Sequence, residues 1–349
     1  MEHRIVHVEN NHFCGWPANN GLWQWDGQEI LVGFIRGRYK ACEEAHSIGT
    51  SYESLLARSI NGGESWHVTK PMDFMHNGAS TKPLPEPIDF TAPGCILRIA
   101  GCGYHGATFN HGAFYCSHDR GKTWNGPWSF GDLSEDPALL GQEMTPRTDV
   151  VVLNRHECLA FLSTRPPGTA SRDKLFCART RDGGQTWQFM AWVTPPSDPY
   201  RGVMSQTVRL TSGALVTAMR RREPGTDHCW VDAYRSLDTG GTWAFHARVG
   251  ETGKTNGNPP ALAVLRDGRL CCVYGNRSRK QLLARTSVDG GINWSIERVL
   301  RENYFSGLDD QDFGYPRIAQ RDDGRLVVIY YWASVEHPQQ HIAATIFTV

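Results

Sequence analysis

An eight-residue pattern, Ser/Thr-x-Asp-x-Gly-x-Thr-Trp in outline, recurs five times along the 349 residues of this chain. The cleanest copy is Ser117-His118-Asp119-Arg120-Gly121-Lys122-Thr123-Trp124, and the others end at Trp66, Trp187, Trp243 and Trp294. Successive tryptophans are 58, 63, 56 and 51 residues apart. Self-similarity at such a period marks a fold built from stacked copies of one supersecondary unit. The chemistry of the unit is readable. Ser and Asp side chains bond nearby amides of a tight turn, Gly takes a positive φ, and Trp packs beneath. The recurring carboxylate, Asn61 in the first copy, therefore reads as a turn brace and not as a catalyst or metal ligand.

Between the boxes runs a second pattern, strand, Asp-Gly or Ser-Gly turn, strand. It is clear from Thr207 to Ala218, from Ala261 to Cys272 and from Ile318 to Tyr330. Looser versions lie at Leu22 to Phe34, Ile88 to Ala100 and Asp149 to Leu162. Six such units with alternating, β-branched strands and no helical period predict an all-β, six-bladed β-propeller with four-stranded antiparallel blades. Blades of about 50 to 60 residues would use the whole chain as one domain, residues 1–349. The sixth blade has no box after it, so Arg4-Ile5-Val6-His7-Val8 is expected to close it as the outer strand. The Pro- and Gly-rich stretch from Lys70 to Pro87 is expected to be an excursion over one face.

Composition narrows the partners. Lys plus Arg and Asp plus Glu number 36 each, leaving no basic surplus to displace counterions from a nucleic acid. No stretch approaches the ~18 apolar residues of a membrane span, and Met1-Glu2-His3-Arg4 lacks the layout of a secretory signal, so a soluble protein is expected. The 10 Cys are scattered without a CxxC pair and read as reduced, buried hydrophobes. No zinc spacing or phosphate-cradling loop occurs, and no metal or cofactor is expected.

The five boxes are Asp-box, or BNR, repeats, and on them the chain resembles the sialidase superfamily of six-bladed propellers over essentially its whole length. The resemblance implies ligand binding on the axis and a site of three parts: arginines for a carboxylate, a tyrosine nucleophile and a carboxylic acid that protonates the leaving group. Tyr315, in Gly314-Tyr315-Pro316-Arg317, falls at the nucleophile position, Arg220 matches the second arginine and Arg277 the third. Where the family supplies its first arginine, this chain has Gly15-Trp16-Pro17-Ala18-Asn19-Asn20-Gly21. Asn19 and Asn20 are carried as binding candidates there. The glutamate that partners the tyrosine is missing near Val203, with Glu223 as a substitute from another position. The family's acid/base aspartate has no counterpart after Arg36 and Arg38, where the loop offers Glu43, Glu44 or His46.

Other candidates arise from the residues themselves. Arg147 and Asp149 open the third inner strand, and His105 follows the second. Arg317 follows Tyr315 closely. A histidine among arginines suits a polysaccharide lyase, in which it removes a proton beside a neutralised uronate carboxylate. Trp16, Trp23 and Trp25 read as packing residues. Three functions are compatible with this set: an exo-acting glycoside hydrolase for a terminal acidic sugar, sialic acid or related; a lyase or hydrolase for uronate- or rhamnose-containing polysaccharide; and a catalytically silent glycan-binding module. Each implies a carbohydrate partner, one with a carboxylate where the sugar is a sialic acid or a uronate.

Overall fold

The computed structural model describes residues 1–43, 46–72, 80–100, 111–169 and 172–349. The chain is an all-β, six-bladed β-propeller, and its one short α-helix among the described residues is Pro17–Asn20. The first blade runs from His12–Gly15 to His67–Thr69 and includes the long hairpin Glu29–Tyr39 with Ile48–Ser59. The second contains Ile96–Ala100, Ala113–Ser117 and Asn125–Trp128, and the third runs from Glu143–Met144 to Gln188–Trp192. Arg201–Arg209, Leu215–Arg222, Cys229–Ser236 and Ala244–Gly253 make the fourth, and the fifth runs from Ala261–Val264 to Arg298–Arg301. In the sixth, Gly314–Gln320, Leu326–Trp332 and His341–Phe347 are joined by the N-terminal strand Glu2–His7. That strand pairs antiparallel with the last one, Glu2 opposite Ile346 and Ile5 opposite Ala343, as the missing sixth box requires.

The boxes behave alike. In every copy the first hydroxyl accepts the amide of the box glycine at 2.8 Å, as with Gly63 on Ser59 and Gly291 on Ser287. Every box tryptophan donates its indole N–H to that glycine's carbonyl at 3.1 to 3.2 Å. The aspartates are consumed within the turn: Asp289 accepts the Asn293 amide at 2.9 Å and the Ser287 hydroxyl at 2.8 Å. Gly63 has φ 90°, and a Cβ there would stand 2.9 Å from Val327 on the sixth blade. The turn thus approaches the neighbouring blade too closely for a side chain.

The second blade departs from expectation. Residues 88–95 form no strand; Asp89 caps a turn by accepting the Thr91 amide at 3.0 Å, and Cys95 donates to Ala92. Pro93-Gly94 cannot sustain a ladder there, and extended pairing begins only at Ile96. Ile88 and Leu84 instead pack into a core with Phe114, Phe130 and Trp187.

The chain forms two compact units, residues 1–70, 218–233 and 246–349 in one, 71–217 and 234–245 in the other. In the first, the core is aromatic-rich, with Tyr304, Phe313, Tyr330 and Trp332 packed around Val328 and Leu326. In the second, the Phe114 core is continued by Leu162 and Phe176. The nine described cysteines are all free. Burial pushes the Cys14 and Cys271 thiols up to about 12, so both stay as inert hydrophobes at neutral pH.

Candidate functional site

The first unit assembles its polar centre from the ends of inner strands. Arg220, Arg221 and Arg222 close the strand Leu215–Arg222, and strand alternation turns Arg221 to the face opposite Arg220 and Arg222. Arg221 reaches Asp232, with Nε 3.3 Å from Oδ2, while half-buried Arg222, at the strand end, bonds the Thr226 carbonyl and Asn256. Arg220 is 2% exposed and donates Nη1–H to the Tyr315 hydroxyl at 3.1 Å. Arg277 follows the strand Leu270–Asn276 directly and is 3% exposed. It donates Nη1–H to the Thr255 carbonyl at 2.6 Å and Nη2–H to the Tyr331 hydroxyl at 3.3 Å. The guanidinium carbons of Arg220 and Arg277 each lie 5.9 Å from the centre of the Tyr315 ring. The Nε of both arginines is buried without a hydrogen-bond partner among the described residues.

A strained turn positions Tyr315. Gly314 has φ 100° and Tyr315 itself φ 49°, a left-handed conformation that disfavours a bulky residue. Asn258 holds it there: its side-chain oxygen accepts the Tyr315 amide at 2.8 Å, and its Nδ2 donates to the Phe313 carbonyl at 2.8 Å. A Cβ on Gly314 would sit 2.3 Å from that oxygen, so glycine is required. The ladder resumes only beyond a bulge between Gly314 and Arg317.

Beside Tyr315 lies a second cluster around Asp312, which is 4% exposed. His46 Nδ1 is 2.8 Å from Asp312 Oδ1, the Tyr331 hydroxyl donates to the same oxygen, and Arg277 Nη2 stands 3.5 Å from it. Asp312 Oδ2 is buried with no partner among the described residues. Burial alone would raise the Asp312 carboxyl, but the His46 and Arg277 charges hold it below the usual range, so it is ionised at neutral pH. Burial and the adjacent carboxylate push the Tyr331 phenol well above its ordinary value. The His46 ring packs 4.7 Å from the Trp16 ring and 6.4 Å from that of Tyr315.

The structure therefore brings four of the sequence candidates together, His46, Arg220, Arg277 and Tyr315. It adds Asp312, Tyr331 and Asn258, which carried no motif. The one signal for Asp312 in the sequence is its place three residues before Tyr315.

Of the remaining candidates that the structure describes, most are bonded elsewhere. Arg36 bonds Glu9 at 2.6 Å and also Glu53, an ion-paired strand residue. Arg38 is exposed opposite His12. Arg147 donates to the Pro146 carbonyl at 2.6 Å and Arg317 to Ala18 at 2.5 Å. Asn20 donates to the Trp16 carbonyl at 3.0 Å, and the Asn19 amide bonds the same carbonyl, so both shape the turn that presents Trp16. Exposed Glu43 accepts the Asp309 amide at 3.4 Å. Glu223 bonds Thr226 at 3.0 Å within its own hairpin. In the second unit, Asp149 accepts Ser205 and Thr207. His105 and Glu44 lie outside the described residues. Among the described residues no cluster of three or more His, Cys, Asp or Glu is arranged to hold a metal.

The family model described as BNR repeat-like domain matches residues 97–328. The chain belongs to that family. Solved structures agree with this BNR repeat-like fold. A protein of unknown function from Dyadobacter fermentans superposes with a TM-score of 0.76 at 19% identity, covering 100% of this chain and 98% of that one. The Hadza microbial sialidase Hz136 gives 0.66 at 14%, covering 97% and 66%. The Penicillium chrysogenum α-L-arabinanase, solved with arabinobiose, gives 0.60 at 13%, covering 98% of both chains. No curated protein sequence matches the BNR repeat-like chain.

Proposed function

We propose that this BNR repeat-like propeller is an exo-acting glycoside hydrolase of the sialidase type, removing a terminal acidic sugar, sialic acid or a related one, from glycans. One observation carries the reading: two buried guanidiniums flank one phenol at equal distance, each with an Nε lacking a partner among the described residues. A buried unpaired donor costs about 1–3 kcal/mol, which a ligand carboxylate would recover. Two arginines against the one carboxylate of Asp312 leave the centre, among the described residues, short of negative charge. The kinship with solved propellers named as a sialidase and an arabinanase supports a carbohydrate substrate.

In this reading Arg220 and Arg277 hold the carboxylate, and Tyr315 attacks or stabilises the adjoining anomeric centre. A neutral phenol suits that place because an Asp or Glu would be repelled by the substrate's own carboxylate. The Arg220 N–H donated to the Tyr315 hydroxyl puts positive charge beside the oxygen on which negative charge would develop. The test is turnover of 4-methylumbelliferyl N-acetylneuraminide. Arg277→Ala and Arg220→Ala are each expected to lower kcat/KM ~100-fold or more, and Tyr315→Phe to lower kcat by a comparable factor. Absence of turnover by the intact protein, or full activity of Tyr315→Phe, overturns the assignment.

The pairing of His46 with Asp312 favours a second reading, a lyase in which His46 takes the proton beside an arginine-held uronate carboxylate. An unsaturated product absorbing in the near ultraviolet would decide for it.

A further inference from the structure

The strongest unassigned feature of the first unit is the way three donors converge on a single oxygen of Asp312. His46 and Tyr331 both bond Oδ1, Arg277 approaches it, and Oδ2 takes nothing among the described residues. A carboxylate serving only as a brace would share its donors between both oxygens. This one fixes the orientation of an imidazole instead. The His46 ring is held edge-on between Trp16 and Tyr315, with Phe13 6.3 Å away, so rotation that would exchange its nitrogens meets aromatic walls. Its side chain remains 22% exposed, which leaves one side of the ring open to a ligand.

We propose that Asp312 is a positioning residue that accepts the Nδ1–H of His46, so that Nε2 is the nitrogen that exchanges protons with substrate. The inference rests on the hydrolase reading and fills the place for which the chain has no family aspartate. The protonated His46 Nε2 gives its proton to the leaving-group oxygen as the glycosidic C–O bond breaks and its electron pair moves onto that oxygen. The water that replaces the leaving group then returns a proton to Nε2 and adds its hydroxyl to the anomeric carbon. Glycoside and water thus become free sugar and alcohol, and the imidazole ends as it began. The ionised Asp312 offsets the imidazolium charge between these events.

Two measurements test this. In protein labelled with 15N-histidine, the long-range proton–nitrogen spectrum of neutral His46, assigned by its loss in His46→Gln, is expected to show Nδ1 protonated. In Asp312→Asn that preference is expected to be lost. An Nε2–H tautomer in the wild type overturns the proposal whatever the activity.

The second measurement compares two substrates of one sugar. Sialyllactose has a poor leaving group that needs the proton, and 4-methylumbelliferyl N-acetylneuraminide has a good one that does not. Asp312→Asn and His46→Gln are expected to lose ~100-fold in kcat on sialyllactose and only a few-fold on the aryl sialoside, with KM little changed. Equal losses on both, the signature of a merely structural role, overturn the proton-transfer assignment while the hydrolase reading stands. No wild-type turnover of either overturns both, and the nitrogen spectrum still decides the positioning role.

Discussion

Two buried aspartates, Asp149 in one compact unit and Asp312 in the other, are nearly equal in burial and differ in how donors share their oxygens. Asp149 accepts the Thr207 amide on one oxygen at 2.9 Å and the hydroxyls of Ser205 and Thr207 on the other at 2.5 and 3.0 Å. These donors are neutral and lie on the neighbouring strand Arg201–Arg209, so the carboxylate stitches one blade to the next. Asp312 receives an imidazole and a phenol on one oxygen, and a permanently charged guanidinium stands 3.5 Å from the same atom. Neutral donors spread over both oxygens make a brace. An imidazole and a guanidinium gathered at one oxygen make a site that carries charge and can pass a proton through the imidazole.

The comparison breaks most readily at Asp149. Asp149→Ala strands two hydroxyls and an amide in a buried layer and is expected to cost about 3 kcal/mol or more, read as a lowered urea midpoint with m unchanged. Asp312→Ala is expected to cost less stability and far more activity. If Asp149→Ala instead left stability intact and removed activity, the division between brace and site would fail.

The fold was legible in the sequence because the boxes repeat a local chemistry that needs no distant partner: hydroxyl, carboxylate, glycine and indole all close on one another within eight residues. The second blade was misread at Ile88 to Cys95, where Asp89 and Pro93-Gly94 divert a β-rich stretch into turns. At the centre, Arg220, Arg277 and Tyr315 were singled out by the resemblance to the sialidase superfamily, and the structure puts them side by side. Asp312 and Tyr331 were not, because each matters only through what three separate strands and a loop bring to it. Arg36 reads from sequence like Arg220, and only the positions of Glu9 and Glu53 show that its charge is already answered.

A milder contrast lies within the boxes, whose aspartates are half-buried or exposed versions of the Asp149 brace. The first box supplies its own variant: Asn61 accepts the Ser65 amide at 3.0 Å and the Ser59 hydroxyl at 2.9 Å, as Asp238 accepts Thr242 and Ser236 at 2.8 Å each. The turn therefore needs an acceptor more than a charge. Asp238→Asn is expected to change stability by less than about 1 kcal/mol and Asp238→Ala by about 1–2 kcal/mol, measured by urea unfolding. Equal costs for the two would mean that the box works through charge and would remove the parallel with Asp149.

The finest test sets Asp312 against Asp310, two residues away. Asp310 is a brace by the same criterion, accepting Tyr304 at 2.7 Å, Ser306 at 2.8 Å and Gln340 at 3.3 Å, all neutral. Burial raises its carboxyl above the ordinary 3.8, whereas the charged neighbours of Asp312 hold that one below 3.8. The signs of linkage are then opposite. A raised group contributes stability below pH 3.8 that is lost as pH rises through its folded value. A depressed group contributes stability above pH 3.8 that is lost as pH falls through its folded value. Asp310→Asn is expected to cost less at pH 7 than at pH 4, and the side-chain oxygen of Gln340, already unpartnered among the described residues, is available to accept the new amide once the Gln340 amide turns. Asp312→Asn is expected to cost more at pH 7 than at pH 3. A tenfold change in proton affinity on folding is worth about 1.4 kcal/mol, a difference that urea titrations at pH 3, 4 and 7 resolve. Parallel slopes would show that burial alone governs both carboxylates and that the charges around Asp312 do not reach it.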